Sequence, residues 1–111
     1  MSFSVKTISV FERQAKRLTK KFPSLKKEIQ TLIKELEEEP IHGIPIGHNC
    51  YKIRLAIASK GKGKSGGARF ITHVIFKDET VFLLAIYDKS AIENLPDSEI
   101  LELIKLIPLE E

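Results

Sequence analysis

The sequence predicts an α+β domain of order β-α-α-β-β-β-α, a helical hairpin and a short C-terminal helix packed on a small, mostly antiparallel sheet. Three observations predict it. Two apolar stripes of helical spacing follow each other between residues 9 and 39, split by Pro23. Three strand-like apolar runs then fill residues 50–87, joined by short polar or glycine-rich connections. A chain of 111 residues, 42% hydrophobic and 30% charged, fits one domain over 1–111 with a core of its own.

Each element has a local reason. Phe3, Val5 and Thr7 alternate with polar neighbours as a short edge strand. Ser9 and Glu12 read as a capping box for a helix carrying Phe11, Ala15, Leu18 and Phe22. Ser24 reads as the cap of a second helix, with Leu25, Ile29, Leu32, Ile33 and Leu36 as its stripe and Pro40 as its stop. Residues 41–49, punctuated by Gly43, Pro45 and Gly47, read as a loop. In the next strand Tyr51, Ile53, Leu55 and Ile57 share one face, and Lys52 and Arg54 the other. ARFITHVIF and TVFLLAIY are apolar on both faces, as suits central strands, and the short Lys77-Asp78-Glu79 link makes them antiparallel. Asp97 or Ser98 caps a last helix carrying Ile100, Leu101, Leu103, Ile104 and Ile107, which Pro108 ends.

Charge is segregated along the chain. The net of +3 conceals a stretch, residues 51–77, with seven Lys/Arg and no acid, and residues 1–27 hold eight cations against Glu12 alone. Such blocks are the electrostatic footprint of a protein that meets phosphates. A lone cysteine, Cys50, excludes an internal disulfide framework and suits a cytoplasmic protein. No run of about 18 apolar residues is present, so no membrane span is expected. The alternating N-terminal residues lack the pattern of a signal peptide.

The segment 60–67 holds four of the six glycines and the lysines Lys60, Lys62 and Lys64. Its Gly63-Lys64-Ser65 ending is not a Walker phosphate loop: Ala58 stands where the first glycine belongs, and a strand follows instead of a helix. It reads as a mobile hairpin tip whose lysines clamp a polyanion, here RNA. Lys52 and Arg54 emerge from one strand face and Arg69 opens the next strand, so a hairpin brings the three cations to one patch, with Tyr87 and Lys89 close by. His42, His48 and Cys50 match no zinc spacing, and no metal or other cofactor is expected. His73, in mid-strand, reads as a packed histidine.

The element order, CYKIRL, KSGGAR and the Tyr87-Asp88-Lys89-Ser90 ending together resemble the RelE/ParE toxin superfamily over about Val5 to Ile107, with KSGGAR nearest its HigB-like members. The resemblance implies a RelE-like fold and a type II toxin held inactive by a cognate antitoxin, in many members a metal-independent nuclease that cuts messenger RNA on the ribosome. Lys52 and Arg54 then match the basic pair of the first long strand, Arg69 the phosphate-binding arginine, and Lys89 the basic position after the last strand. The C-terminal aromatic that stacks on a base in some members has no counterpart in residues 88–111, so either Tyr87 substitutes or the base preference differs.

The expected activity is therefore that of an endoribonuclease, or mRNA interferase. The 2′-hydroxyl attacks the adjacent phosphate, Arg54 and Arg69 take the charge that develops, and Lys52 is the general base. Lys89 or Tyr87 protonates the leaving 5′-oxygen. Two alternatives share the fold: a ParE-like DNA gyrase inhibitor, and an RNA- or ribosome-binding protein without chemistry. Convergence of Lys52, Arg54, Lys64 and Arg69 argues for cleavage over gyrase inhibition.

Overall fold

The computed structural model describes residues 2–61, 63, 66–91 and 94–108. In chain order the elements are β1 (Ser4–Thr7), α1 (Ser9–Lys21), α2 (Leu25–Glu38), β2 (Ile44–Gly47), β3 (Cys50–Leu55), β4 (Ala68–Ile75), β5 (Thr80–Asp88) and α3 (Asp97–Lys105), with a single 3₁₀ turn at Ala58–Lys60 after β3. The predicted α+β order is present with one addition, β2. The five strands form one sheet in the order β1-β5-β4-β3-β2. β1 runs parallel to β5 and every other pair is antiparallel.

The expected loop at 41–49 contains β2, which pairs Ile44 with Lys52 and Pro45 with Tyr51. Pro45 is compatible with a strand here because β2 is the sheet edge, where an N–H is not needed on the outer side. Gly47, His48 and Asn49 turn the chain into β3, all three with positive φ (92°, 56° and 57°). A proline and two glycines within nine residues mask a strand of four.

Two of the three expected helix caps are displaced, and the third, Ser24, stands at the cap of α2 without a side-chain cap bond. Ile8, not Ser9, occupies the cap of α1, and Glu12 accepts a 2.5 Å hydrogen bond from the Thr7 hydroxyl instead of reaching back to an amide. Ser24 does precede α2, but its hydroxyl donates to Glu28 and accepts from the Ser59 amide. Glu28 in turn accepts from the Ala58 amide, so the start of α2 holds the turn that leads into the glycine-rich segment. Pro96, rather than Asp97 or Ser98, caps α3. Asp97 lies 3.4 Å from the His48 ring and ties α3 to the β2–β3 turn.

The core explains why β4 and β5 are apolar on both faces. All nine residues of β5 are buried. On one side Phe11 of α1 meets Phe70 of β4 at 6.0 Å between ring centroids, above fully buried Leu25, Leu32 and Leu36 of α2. On the other side Leu95 and Ile100 lie over Ile71 and Lys52, which places α3 across the face opposite the helical hairpin. A bulge between Ile71 and Thr72 of the β4–β5 ladder kinks the sheet there. At the ends of β3 and β4 the backbones come so close that a Cβ on Gly67 would stand 2.1 Å from the Leu55 carbonyl oxygen, so only glycine fits.

Candidate functional site

The ladder registers assemble the site. Arg54 of β3 pairs with Arg69 of β4, and Arg69 pairs with Tyr87 of β5, so the three side chains form a row across the sheet. One step along the same face, Lys52 pairs with Ile71, which pairs with Ala85. Leu95 and Ile100 lie over this second row. The face thus carries two guanidiniums, an ammonium and a phenol, as the alternation of Lys52 and Arg54 leads one to expect.

Their environments differ. Arg54 is exposed, while Arg69 is 3% exposed and donates from Nη1 to the Ala68 carbonyl at 3.1 Å. Burial and the facing Arg54 charge pull the Arg69 guanidinium below its ordinary value, and Tyr87 opposes them. Arginine remains cationic through such a shift. Burial raises the Tyr87 phenol and Arg69 pulls it back, with the net upward, so its proton stays in place at neutral pH. The Tyr87 hydroxyl is buried and meets no hydrogen-bond partner among the described residues. It is an unspent donor beside a fixed cation. Lys52 is half-buried and donates to Asn94 Oδ1 at 3.1 Å. Lys89, half-buried, follows Tyr87 by two residues, and its amide donates to the Gly67 carbonyl at 3.0 Å.

The expected lysine loop divides. Lys60 turns into the fold, where its ammonium is ion-paired with Asp88, donates to the Ser90 hydroxyl at 2.7 Å and lies 5.5 Å from the centre of the Phe22 ring. Both partners of that pair are nearly buried, with 9% and 8% of their side chains exposed. Burial alone would raise the Asp88 carboxyl, but hydrogen bonds from Lys60 and Ser90 outweigh it and hold the group at about 2. Lys62 and Lys64 lie outside the described residues. Tyr87, expected as a stacking surface, is 4% exposed, so its ring is not open to a base in this state.

The histidines are held elsewhere. Cys50 and His73 face each other at the far end of β3 and β4, with Sγ 3.4 Å from Nδ1. Four residues separate Cys50 from Arg54, about 13 Å along a strand. Burial and Asp97 push the Cys50 thiol up to about 11, which leaves it protonated and a poor nucleophile. Burial lowers the His73 imidazole, against a hydrogen bond that its ring donates to the His48 backbone. His42 lines a separate cleft with Glu38 and Glu39. Among the described residues no group of three or more His, Cys, Asp or Glu is arranged to hold a metal ion, and no helix is long and apolar enough to cross a membrane. Sequence reasoning missed Asn94 and Asp88 as the partners of Lys52 and Lys60. Only the Asp88-Lys89-Ser90 run, next to the last strand, hinted at either.

A mixed five-stranded sheet with helices on both faces aligns two guanidiniums and a protonated phenol in one row, in an α+β fold. The family model described as the RelE toxin of the RelE/RelB toxin–antitoxin system matches residues 7–107, and the chain belongs to that family. The fold is similar to that of an arginine-substituted mutant of the E. coli toxin RelE in the free state, at 21% identity and TM-score 0.61, covering 97% of this chain and 100% of that one. It is similar also to the toxin–antitoxin complex RelBE2 from Mycobacterium tuberculosis (16% identity, TM-score 0.61, 79% and 99% covered). The isolated E. coli RelE toxin matches at 17% identity and TM-score 0.56, over 96% of this chain and 100% of that one. No curated protein matches at the sequence level.

Proposed function

We propose that this RelE-family toxin is a metal-independent endoribonuclease that cuts messenger RNA, on the ribosome and in the cytoplasm, and that a cognate antitoxin restrains it. The observation that carries the reading is the Arg54–Arg69–Tyr87 row fixed by strand register. RNA brings its own nucleophile, so the protein has only to align the 2′-hydroxyl with the phosphate, stabilise charge and move protons. In this reading a phosphate sits between Arg54 and Arg69, whose planar guanidiniums fit its non-bridging oxygens. Lys52, one row along, takes the 2′-hydroxyl proton. Tyr87, still protonated and without a partner among the described residues, gives its proton to the leaving 5′-oxygen, with Lys89 as the other candidate. The products are a 2′,3′-cyclic phosphate and a 5′-hydroxyl. The glycine-rich segment before Arg69 favours the HigB-like branch of the superfamily.

The test is to induce the protein in cells and map messenger RNA 5′ ends. Cuts within translated reading frames, absent from an Arg69→Ala strain, support the reading. Intact messages with DNA damage would move the gyrase-inhibitor alternative ahead, and intact messages with stalled ribosomes would leave an RNA-binding protein without chemistry.

A further inference from the structure

The proposed chemistry uses the cations of residues 51–77 and leaves unexplained those of the N-terminal block. α1 carries Arg13, Lys16, Arg17, Lys20 and Lys21 against one carboxylate, Glu12, and all five cations are exposed. Spacings of three and four residues gather them on one side of the helix.

α1 borders β5, the strand that carries Tyr87. β1 pairs with β5 only as far as Leu83, so the rest of that β5 edge has no strand beside it. α1 takes over there: Gln14 Oε1 accepts a hydrogen bond from the Ile86 amide at 3.0 Å. Between the two elements lies a cleft of about 260 Å³, walled by Gln14, Arg17, Leu18 and Lys21 on one side and by Ile86, Tyr87, Asp88 and Ala91 on the other. One wall therefore includes Tyr87, the end of the Arg54–Arg69–Tyr87 row.

The cleft has a sign and a chemistry. Its one carboxylate, Asp88, is already paired with Lys60, so Arg17 and Lys21 set the local charge. Arg17 makes no ion pair among the described residues, and Lys21 packs 5.4 Å from the Phe22 ring centre with its charge toward solvent. Between these cations and the strand, Leu18, Ile86 and Ala91 give an apolar surface. Cations beside an apolar surface, with Tyr87 shared between the cleft and the Arg54–Arg69–Tyr87 row, fit a nucleotide, with its phosphate on the cations and its base on the aliphatic carbons.

We propose that this cleft holds the RNA strand next to the scissile phosphate, with Arg17 and Lys21 as positioning residues for the neighbouring phosphate. This rests on the reading of the Arg54–Arg69 row as a phosphate site. It assigns the N-terminal charge block a role in the strand's path and sets the direction in which RNA leaves the sheet.

The test measures binding of a labelled ten-nucleotide 2′-O-methyl RNA, which cannot be cleaved, across a salt series. Wild type is compared with Arg17→Gln/Lys21→Gln, Arg17→Lys/Lys21→Arg and Arg54→Gln, with folding checked by thermal melting. The Gln pair is expected to weaken binding about tenfold at low salt. It should also reduce the slope of log K against log salt by about 1.4, the value for two phosphate contacts on a single strand. The charge-conserving pair should restore both. An unchanged slope in the Gln pair, with Arg54→Gln still weakening binding, overturns the cleft and leaves the site reading intact. The reverse pattern overturns the site reading instead. No binding by wild type, or an effect of the Gln pair on antitoxin affinity alone, overturns the proposal.

Discussion

Replacing Lys60 with methionine should cost the fold about 3 kcal/mol, and the reason lies in Asp88. Its carboxyl is held at about 2 against an ordinary 3.8, and its side chain is 8% exposed. A shift of nearly two units corresponds to about 2 kcal/mol of preference for the ionised form in the folded state. The folded value lies below the unfolded one. The contribution is therefore complete above the unfolded value and is lost as pH falls from about 5 toward 2. Lys60→Met removes the main counter-charge but leaves a buried carboxylate, and breaking a buried pair in this way costs about 3–5 kcal/mol. Ser90, which donates to Asp88 from both its amide and its hydroxyl, remains and places the expectation at the low end. Urea unfolding at pH 7 measures the loss, and repeating it between pH 2 and 7 follows its acid limb. Asp88→Leu combined with Lys60→Met should cost less than the sum of the single changes, because no charge is then left buried. A loss below about 1 kcal/mol in Lys60→Met, with the wild-type acid limb retained, would refute the assignment of Lys60 to the fold.

Arg69→Ala and Arg69→Lys should both fold and both lose growth inhibition, since lysine keeps the charge but not the two-pronged fit to phosphate; the loss of one such donor is about 100- to 1000-fold in rate, and a folded, fully toxic Arg69→Ala would show the site to be misplaced. Tyr87→Phe should leave stability unchanged or raise it by about 1 kcal/mol, because the hydroxyl is buried without a partner among the described residues, while single-turnover cleavage falls at least tenfold; unchanged cleavage transfers the acid role to Lys89. Cleavage should survive EDTA, the proposed reaction being carried by side chains alone; loss on chelation with rescue by added zinc or magnesium would overturn it. The antitoxin should cover the Lys52–Arg54–Arg69 face or displace α3, whose Leu101 and Leu106 are 39% and 52% exposed; a complex that touches neither contradicts this.

The fold was legible wherever periodicity was strong. The stripes at Phe11–Phe22 and Leu25–Leu36 and the two-sided runs at 68–75 and 80–88 all appear as α1, α2, β4 and β5. β2 was not legible, because Pro45 and Gly47 carry loop signals that only its edge position overrides. At the cap of α2 the position of Ser24 was legible and its bonding was not. Ser24 found a partner in Ser59, 35 residues away, and local rules do not see such a contact. At the site, alternation sufficed to bring Lys52, Arg54 and Arg69 together, since a hairpin of any register of the correct parity puts them on one face. What it did not give was depth. Arg69 and Tyr87 are 3% and 4% exposed although alternation alone places them on one face with exposed Arg54, and Lys60 is withdrawn from its loop by a carboxylate 28 residues further on.

The pairing of Arg54 directly with Arg69 has a consequence for the stability of the unbound protein. Like charges facing each other across adjacent strands oppose folding, by about 0.2–1 kcal/mol in ordinary sheets, and here one of the two is also deprived of water. On the proposed function, an RNA phosphate bound beside them would offset that opposition and add its own binding energy, about 2.7 kcal/mol at a hundred times its dissociation constant. Binding of that kind would make the bound state the more stable one. On the proposed function, the charge that would seat a phosphate is also a cost to the unbound fold.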